Sequence, residues 1–331
     1  MSGRQRWGGR IGVIGVLGLL LALLAGCGES ASAGQGANPP AGGKTVVRIG
    51  YQKGGSLPIL KGRRTLEERL APQGVTVEWS EFPAGPPLLE ALNSGSVDIG
   101  STGQTPPIFA QAGGTPLVYV ASIASTGDGQ ALLVPANSPI KAVADLKGKK
   151  VAFAKGSSAH FFTISVLREA GLDYGDIEPV FLNPPDARPA FEGGSVDAWV
   201  IWEPYLTIAR HAGNARVLHD GTSLTPTHGY YLAARPFVDS HPELVGAVLE
   251  EVQKVEEWSA QNPGEVAAIL APVINVDAAI LAEVAERQSF GLSPISAELV
   301  AEQQAIADIF FELKLIPKQI SIKDAVWTWQ R

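Results

Sequence analysis

Past residue 44 the chain alternates short apolar runs with stretches in which apolar residues recur every three or four positions. Val46–Tyr51, Val75–Phe82, Val97–Gly100, Leu117–Ser122, Leu132–Val134, Val151–Ala154, Val180–Leu182 and Ala198–Ile201 have the length and β-branched content of strands. Between many of them lie helical stretches, among them Leu88–Leu92, Thr163–Ala170 and Ala187–Phe191. Pro106–Phe109, closed by Gly113-Gly114, reads as a helix with a clear start and stop. Strands alternating with helices predict an α/β fold of parallel sheets covered on both faces. From Pro242 the period changes to that of long helices. Leu244, Val245, Val248, Leu249, Val252 and Val255 share one helical face, and Leu299, Ile306, Phe310 and Leu313 share another. About 288 residues from Lys44 onward are at the upper limit for one core and favour two lobes.

A repeated phrase supports the two lobes. Gly95-Ser96-Val97-Asp98 returns as Gly194-Ser195-Val196-Asp197, each time before a strand, a turn and a helix start. The repetition predicts two halves related by an approximate two-fold, with Asp98 and Asp197 equivalent. Both aspartates read as structural, because an Asp at a strand start commonly ties down its own turn. Open α/β sheets bind ligands beyond the carboxyl ends of their strands. There the halves diverge: Ser101-Thr102-Gly103-Gln104 in the first correspond to Val200-Ile201-Trp202-Glu203 in the second.

Charge and composition then place the chain outside the cytoplasm. Arg4, Arg6 and Arg10 precede an uncharged apolar stretch over 11–25, too short to span a bilayer but suited to an export signal. Leu24-Ala25-Gly26-Cys27 resembles the bacterial lipobox, which implies cleavage before Cys27 and lipidation of its thiol. Residues 1–26 are thus expected as a lipoprotein signal peptide. Residues 27–43, small, polar and rich in Gly and Pro, are expected as the lipidated Cys and a flexible tether. Gly43-Lys44-Thr45 is not a phosphate loop, since Asn38 stands where that motif needs Gly. Cys27 is the only cysteine, which excludes disulfides and thiolate–metal sites from the soluble body. A net charge of −7, more negative once the signal arginines are gone, argues against nucleic acid.

Turns that join a strand to a helix start recur, and they carry the candidate chemistry. They include Gly50–Ser56, Glu81–Pro87 and Ala154–His160, besides Ser101–Gln104. Each offers backbone N–H groups at a helix amino terminus, where the dipole favours an anion. The hydroxyls of Ser101, Thr102, Ser157 and Ser158 and the amides of Gln52 and Gln104 add donors. Such a seat suits a fully ionised sulfonate or sulfate, which only accepts hydrogen bonds. Monoprotonated phosphate brings an O–H that needs a buried acceptor. Phe161, Trp199, Trp202, Tyr205 and Tyr230 could cover an organic group on the anion, although some of them belong in a core.

The stretch from Val47 to Arg235 resembles the aliphatic-sulfonate-binding proteins of bacterial ABC importers, in the wider sulfonate/taurine/nitrate-binding group. The phrases carrying the likeness include RIGYQKGGSLPILK, NSGSVDIGSTGQTPPIFAQA, VAFAKGSSAHF and PPDARPAFEGGSVDAWVIWEPY. The resemblance implies a two-lobed periplasmic-binding-protein-like fold of type II. Each lobe would be a mixed sheet covered by helices, with the ligand cleft between them. It places lobe 1 at 44–135 plus 237–331 and lobe 2 at 136–236, with hinge strands near Ala131–Val134 and Tyr230–Ala234. The family's binding turns fall on Gln52, Gly85, Thr102, Gly103, Gln104, Ser157, Ser158, His160 and Trp199, and Trp202 joins them as a wall. The resemblance also implies a monomer that holds a small anionic ligand, needs no cofactor, is anchored to the membrane by lipid, and meets an ABC permease and ATPase. Gln104 and Glu203 depart from the pattern, which commonly has Glu and Asp there. Glu203 is left with three roles: a helix cap, a partner for a cation near the hinge, or a seat for a ligand ammonium.

Rival readings share the scaffold. Taurine, nitrate, bicarbonate or a thiamine pyrimidine precursor are alternative ligands. From another class, the enzyme that makes that precursor uses pyridoxal phosphate on a Lys and a His, for which Lys53, Lys155 and His160 are candidates. An export signal argues against a cytosolic cofactor enzyme. No Gly-x-Ser-x-Gly elbow or His-Glu-x-x-His pair occurs, and His211, His219, His228 and His241 show no metal spacing.

Overall fold

The structure is a computed structural model describing residues 45–123, 129–225 and 227–328. Cys27, the export segment and the tether lie outside the described residues. The strands are β1 (Thr45–Tyr51), β2 (Val75–Glu81), β3 (Ile99–Thr102), β4 (Leu117–Ile123), β5 (Gln130–Pro135), β6 (Lys150–Phe153), β7 (Glu178–Phe181), β8 (Ala198–Trp202), β9 (Ala215–His219), β10 (Gly229–Ala234) and β11 (Leu292–Ser293). The helices up to the second sheet are α1 (Leu57–Arg63), α2 (Thr65–Leu70), α3 (Gly85–Asn93), α4 (Thr105–Ala112), α5 (Ser158–Glu169), α6 (Pro184–Glu192) and α7 (Tyr205–His211). Five follow the return to the first sheet: α8 (Arg235–Ser240), α9 (Pro242–Gln261), α10 (Pro263–Ile274), α11 (Ala278–Arg287) and α12 (Ala297–Glu312).

These strands form two sheets, in the orders β11-β4-β10-β3-β1-β2 and β7-β6-β8-β5-β9. Both are mixed rather than wholly parallel. β10 runs antiparallel to β3 and β4, and β5 runs antiparallel to β8 and β9, because at these strands the chain passes from one sheet to the other. β5, which covers the expected hinge strand Ala131–Val134, pairs in the second sheet, and β10, which covers Tyr230–Ala234, pairs in the first.

Side-chain alternation explains why these runs are so apolar. In the second sheet Leu132, Val134, Val151, Phe153, Ala198 and Val200 enter one core, while Ala131, Leu133, Ala152, Trp199 and Ile201 enter another. Each face is covered in the middle of this sheet, so β5, β6 and β8 are hydrophobic at nearly every position. Edge strand β2 shows the opposite pattern. Val75, Val77 and Trp79 are half-buried, while Thr76, Glu78 and Ser80 are exposed. In α9 all six residues of the expected apolar face are buried, and Pro242 stands in its first turn, where the missing N–H costs nothing.

The repeated phrase has a structural counterpart. Asp98 accepts a hydrogen bond from the Arg48 N–H (2.8 Å) and donates its own N–H to the Arg48 carbonyl (2.8 Å). Asp197 does the same with Lys150, at 2.8 Å and 2.8 Å. Each aspartate therefore ties its strand to the neighbouring strand, β3 to β1 and β8 to β6, rather than tying down its own turn.

Candidate functional site

A cavity of about 270 Å³ opens beyond the carboxyl ends of β1, β3 and β8 and the start of α5. From the first sheet's side it is lined by Gln52, Gly85, Thr102, Gly103 and Gln104, and from the second by Ser157, Ser158 and Trp202. Eight of the ten ligand residues expected from sequence thus meet in one place.

Close backbone approach explains two of the glycines. A Cβ on Gly103 would stand 1.9 Å from Ser158 Oγ, so only glycine lets the two halves meet there. A Cβ on Gly85 would stand 2.5 Å from Pro106 Cγ and 3.1 Å from Thr102 Cβ.

The hydroxyls are not equivalent. Thr102 Oγ1 donates to the Gly103 carbonyl (2.9 Å), and Ser157 Oγ donates to the Ala154 carbonyl (2.7 Å), so both hydrogens are spent on backbone. Gln52 Nε2 gives one hydrogen to the Ser101 carbonyl (3.1 Å) and keeps the other. Among the described residues, Ser158 Oγ and the Gln104 side-chain amide have no hydrogen-bond partner, although both residues line the cavity. The Gly103, Gln104 and Thr105 N–H groups at the start of α4, and those of Ser158 and Ala159 at the start of α5, likewise find no acceptor among the described residues. Of these, Gly103, Gln104 and Ser158 line the cavity, so two helix starts bring unpaired donors to one space.

Charged groups reach the same cavity already paired. Lys53 donates to the Ile274 carbonyl and lies 3.4 Å from Glu81. Arg287, in the last turn of α11, bonds through Nη2 to Glu203 Oε1 (2.7 Å) and Thr207 Oγ1 (2.7 Å), and through Nη1 to Glu283 (3.2 Å). Glu203 also accepts from the Thr207 N–H (3.0 Å), so it both caps the first turn of α7 and meets a cation. Burial raises its carboxyl above the usual carboxylate range, against the lowering effect of Thr207 and Arg287. Arg287 was not anticipated from sequence. Its only signal there is a place in a helical stretch far from the repeated phrase.

Two expected ligands lie elsewhere. Trp199 is 1% exposed and packs against Phe191 at 5.8 Å in the core. It stands three positions before Trp202, so strand alternation turns the two indoles to opposite faces. His160 is fully buried and is not an anion donor. The Gly156 N–H donates to its Nδ1 (3.2 Å), which leaves Nε2 to donate to the Tyr174 hydroxyl (3.0 Å). Its ring stacks on Phe153 at 5.1 Å. Burial, with the nearby Lys155 charge, pulls its pKa down to about 3. The imidazole is thus a neutral brace behind the serine turn.

A family model described as NMT1/THI5 like matches residues 71–266. The solved periplasmic aliphatic sulphonate binding protein from Escherichia coli is 44% identical, with a TM-score of 0.76 over 86% of this chain and 97% of its own. The chain belongs to this family. Within the NMT1/THI5 like family it falls in the aliphatic-sulfonate-binding group of substrate-binding proteins, and its fold is the two-lobed one of periplasmic binding proteins. The alkanesulfonate-binding protein from Xanthomonas axonopodis pv. citri, solved bound to MOPS, is 38% identical, with a TM-score of 0.82 over 87% of this chain and 99% of that one. A taurine-binding periplasmic protein of Escherichia coli (strain K12) is 29% identical over 194 residues, 57% of this chain and 59% of its own length. Among the described residues no group of His, Cys, Asp and Glu could hold a metal, and no helix is long and apolar enough to cross a membrane.

Proposed function

We propose that this chain is the extracytoplasmic solute-binding lipoprotein of an ABC importer, anchored through Cys27, and that it captures aliphatic sulfonates without transforming them. Lobe 1 comprises the first sheet with α9 to α12, and lobe 2 the second sheet; they close on the anion as a monomer, and the closed form meets the permease. The observation that carries this reading is the convergence of unspent, uncharged donors. Gly103, Gln104 and Ser158, which carry unpaired N–H groups, the Gln104 amide and Ser158 Oγ, line one cavity, while the charged side chains there are already paired. A sulfonate accepts hydrogen bonds on all three oxygens and asks for no acceptor in return. Taurine's ammonium would need one, and both oxygens of Glu203 are engaged by Thr207 and Arg287.

Calorimetric titration with ethanesulfonate, taurine, sulfate and nitrate tests the reading. Ethanesulfonate is expected to bind most tightly. Ser158→Ala, which removes a donor to a charged group worth about 1.5–3 kcal/mol, should weaken it by about tenfold or more. Ser157→Ala should weaken it far less. Binding of nitrate in preference to every sulfonate, or an unaltered affinity in Ser158→Ala, would refute it.

A further inference from the structure

A buried carboxylate stands outside the donor-lined cavity but is bonded to stretches of chain that reach it. Glu256, on α9, is 2% exposed, and its hydrogen bonds come from three separate segments. Ser56 Oγ donates to Oε1 (2.7 Å), the Tyr231 hydroxyl donates to the same oxygen (3.3 Å), and the Gly291 N–H donates to Oε2 (2.9 Å). All three donors are neutral, and among the described residues no Lys or Arg pairs with this carboxylate. Burial raises its carboxyl above the usual range, against the lowering effect of the three donors. A carboxylate out of water without a counterion costs stability unless its donors offset the loss, and these donors sit where position matters. Ser56 closes the turn Gly50–Ser56, whose Gln52, Lys53, Gly54 and Gly55 line the cavity. It occupies the N-cap of α1 yet makes no cap bond, giving its hydrogen to Glu256 instead. Gly291 belongs to the connector after α11, in which Gln288 and Ser289 line the cavity beside Arg287. Tyr231, on β10, stands opposite Ser101 of β3, whose carbonyl holds Gln52 Nε2.

We propose that Glu256 is a positioning residue for the anion site: it ties the β1–α1 turn and the α11–β11 connector to β10, and so sets where Gln52 and Arg287 stand in the cavity. The proposal rests on the sulfonate reading above and adds a residue that shapes the site without touching the ligand. The turn has little else to hold it. Gly54-Gly55 brings no side chains, and Gly55 has a φ of 81°. A Cβ on Gly54 would stand 3.3 Å from the Glu203 carbonyl at the end of β8, so a displaced turn would press on the second sheet's side of the site. The connector is equally exacting, because Arg287 reaches both Glu203 and Thr207 at 2.7 Å.

The test is calorimetric titration with ethanesulfonate, alongside thermal unfolding, of Glu256→Met, Glu256→Gln, Ser56→Ala and the core control Val248→Ala on the same helix. Methionine keeps the bulk and removes every acceptor, and should weaken binding by about tenfold or more. Glutamine can accept from the Gly291 N–H while its amide donates to the two hydroxyls, so it should restore affinity to within about threefold of wild type. Ser56→Ala breaks one tie, should cost about threefold, and carries the test if Glu256→Met does not fold. Val248→Ala should lower the unfolding midpoint at wild-type affinity. A merely structural carboxylate would follow that control, and wild-type affinity in folded Glu256→Met, or in Ser56→Ala if Glu256→Met does not fold, would overturn the proposal. Glutamine as weak as methionine would overturn it too, by showing that charge rather than position is supplied. Amide exchange of the ligand-free protein gives a readout independent of any sulfonate. Exchange at Gly55 and Gly291 is expected to rise by about tenfold in Glu256→Met and to stay unchanged in Val248→Ala. Unaltered exchange in Glu256→Met would sink this proposal alone, whereas wild-type protein that binds no sulfonate would sink the functional reading.

Discussion

His160 shows how a residue can serve the cavity without touching a ligand. Its imidazole accepts from the Gly156 N–H and so holds the turn that presents Ser158. Because burial and Lys155 depress its pKa to about 3, the folded protein binds this proton far less readily than the unfolded chain, whose His titrates near 6.5. The stability this contributes is therefore present above about pH 6.5 and lost as pH falls towards 3, by about 1.4 kcal/mol per pH unit. His160→Phe should remove that part of the slope. Chemical denaturation of both proteins at pH 7 and pH 5.5 measures it, and parallel losses would contradict the assignment. Much at this scale could not be read from sequence. That Ser157, Ser158, Thr102 and Gln104 border the site follows from their turns. Which hydroxyl keeps its hydrogen depends on a carbonyl three residues back, Ala154 for Ser157, and no residue pattern announces it. The indole of Trp199 was lost to the core for a reason the sequence did contain, since two tryptophans three apart on one strand cannot face the same way.

Among the elements, the strands were legible where both faces are buried and the run is apolar throughout, as in β4 and β8. β9 was not, because Ala215–His219 is a half-exposed strand at a sheet edge with Arg and His among its five residues, and β11 has only two residues. The C-terminal helices were legible as helices but not as walls of the site, since periodicity locates a buried face and says nothing of what the helix end reaches. That end matters: α11 brings Arg287 to Glu203 and Thr207 at the start of α7, and Glu283 of α11 also meets Arg210 and His211 of α7. These contacts join a helix that follows the first sheet to one of the second. Arg287→Met should therefore weaken ethanesulfonate binding. Glu203→Gln should weaken it by a similar factor, and the double variant should be little worse than either. A double-mutant cycle is expected to give a coupling of about 1 kcal/mol or more, and additive losses would show that the pair does not help hold the halves together.

The whole molecule consists of two sheets built on separate cores, with the repeated Asp locking corresponding strands in each. Apart from the two-residue edge strand β11, β5 and β10 are the strands that break the parallel order, and both stand where the chain changes sheets. The duplicated plan was visible in four repeated letters. The exchange of β5 and β10 was not, because a hydrophobic run names its burial and not its partner. Between the halves the backbone of Gly103 comes so close to Ser158 that a methyl group would not fit. A small anion held there touches both sheets at once, and on that contact the whole account depends. The most direct test is a crystal structure of the protein grown with ethanesulfonate. The account predicts sulfonate oxygens within about 2.7–3.2 Å of Ser158 Oγ and of the N–H groups that open α4 and α5, contacted from both sheets. An ordered sulfonate bound to one sheet alone, or at any other surface of the chain, would contradict it.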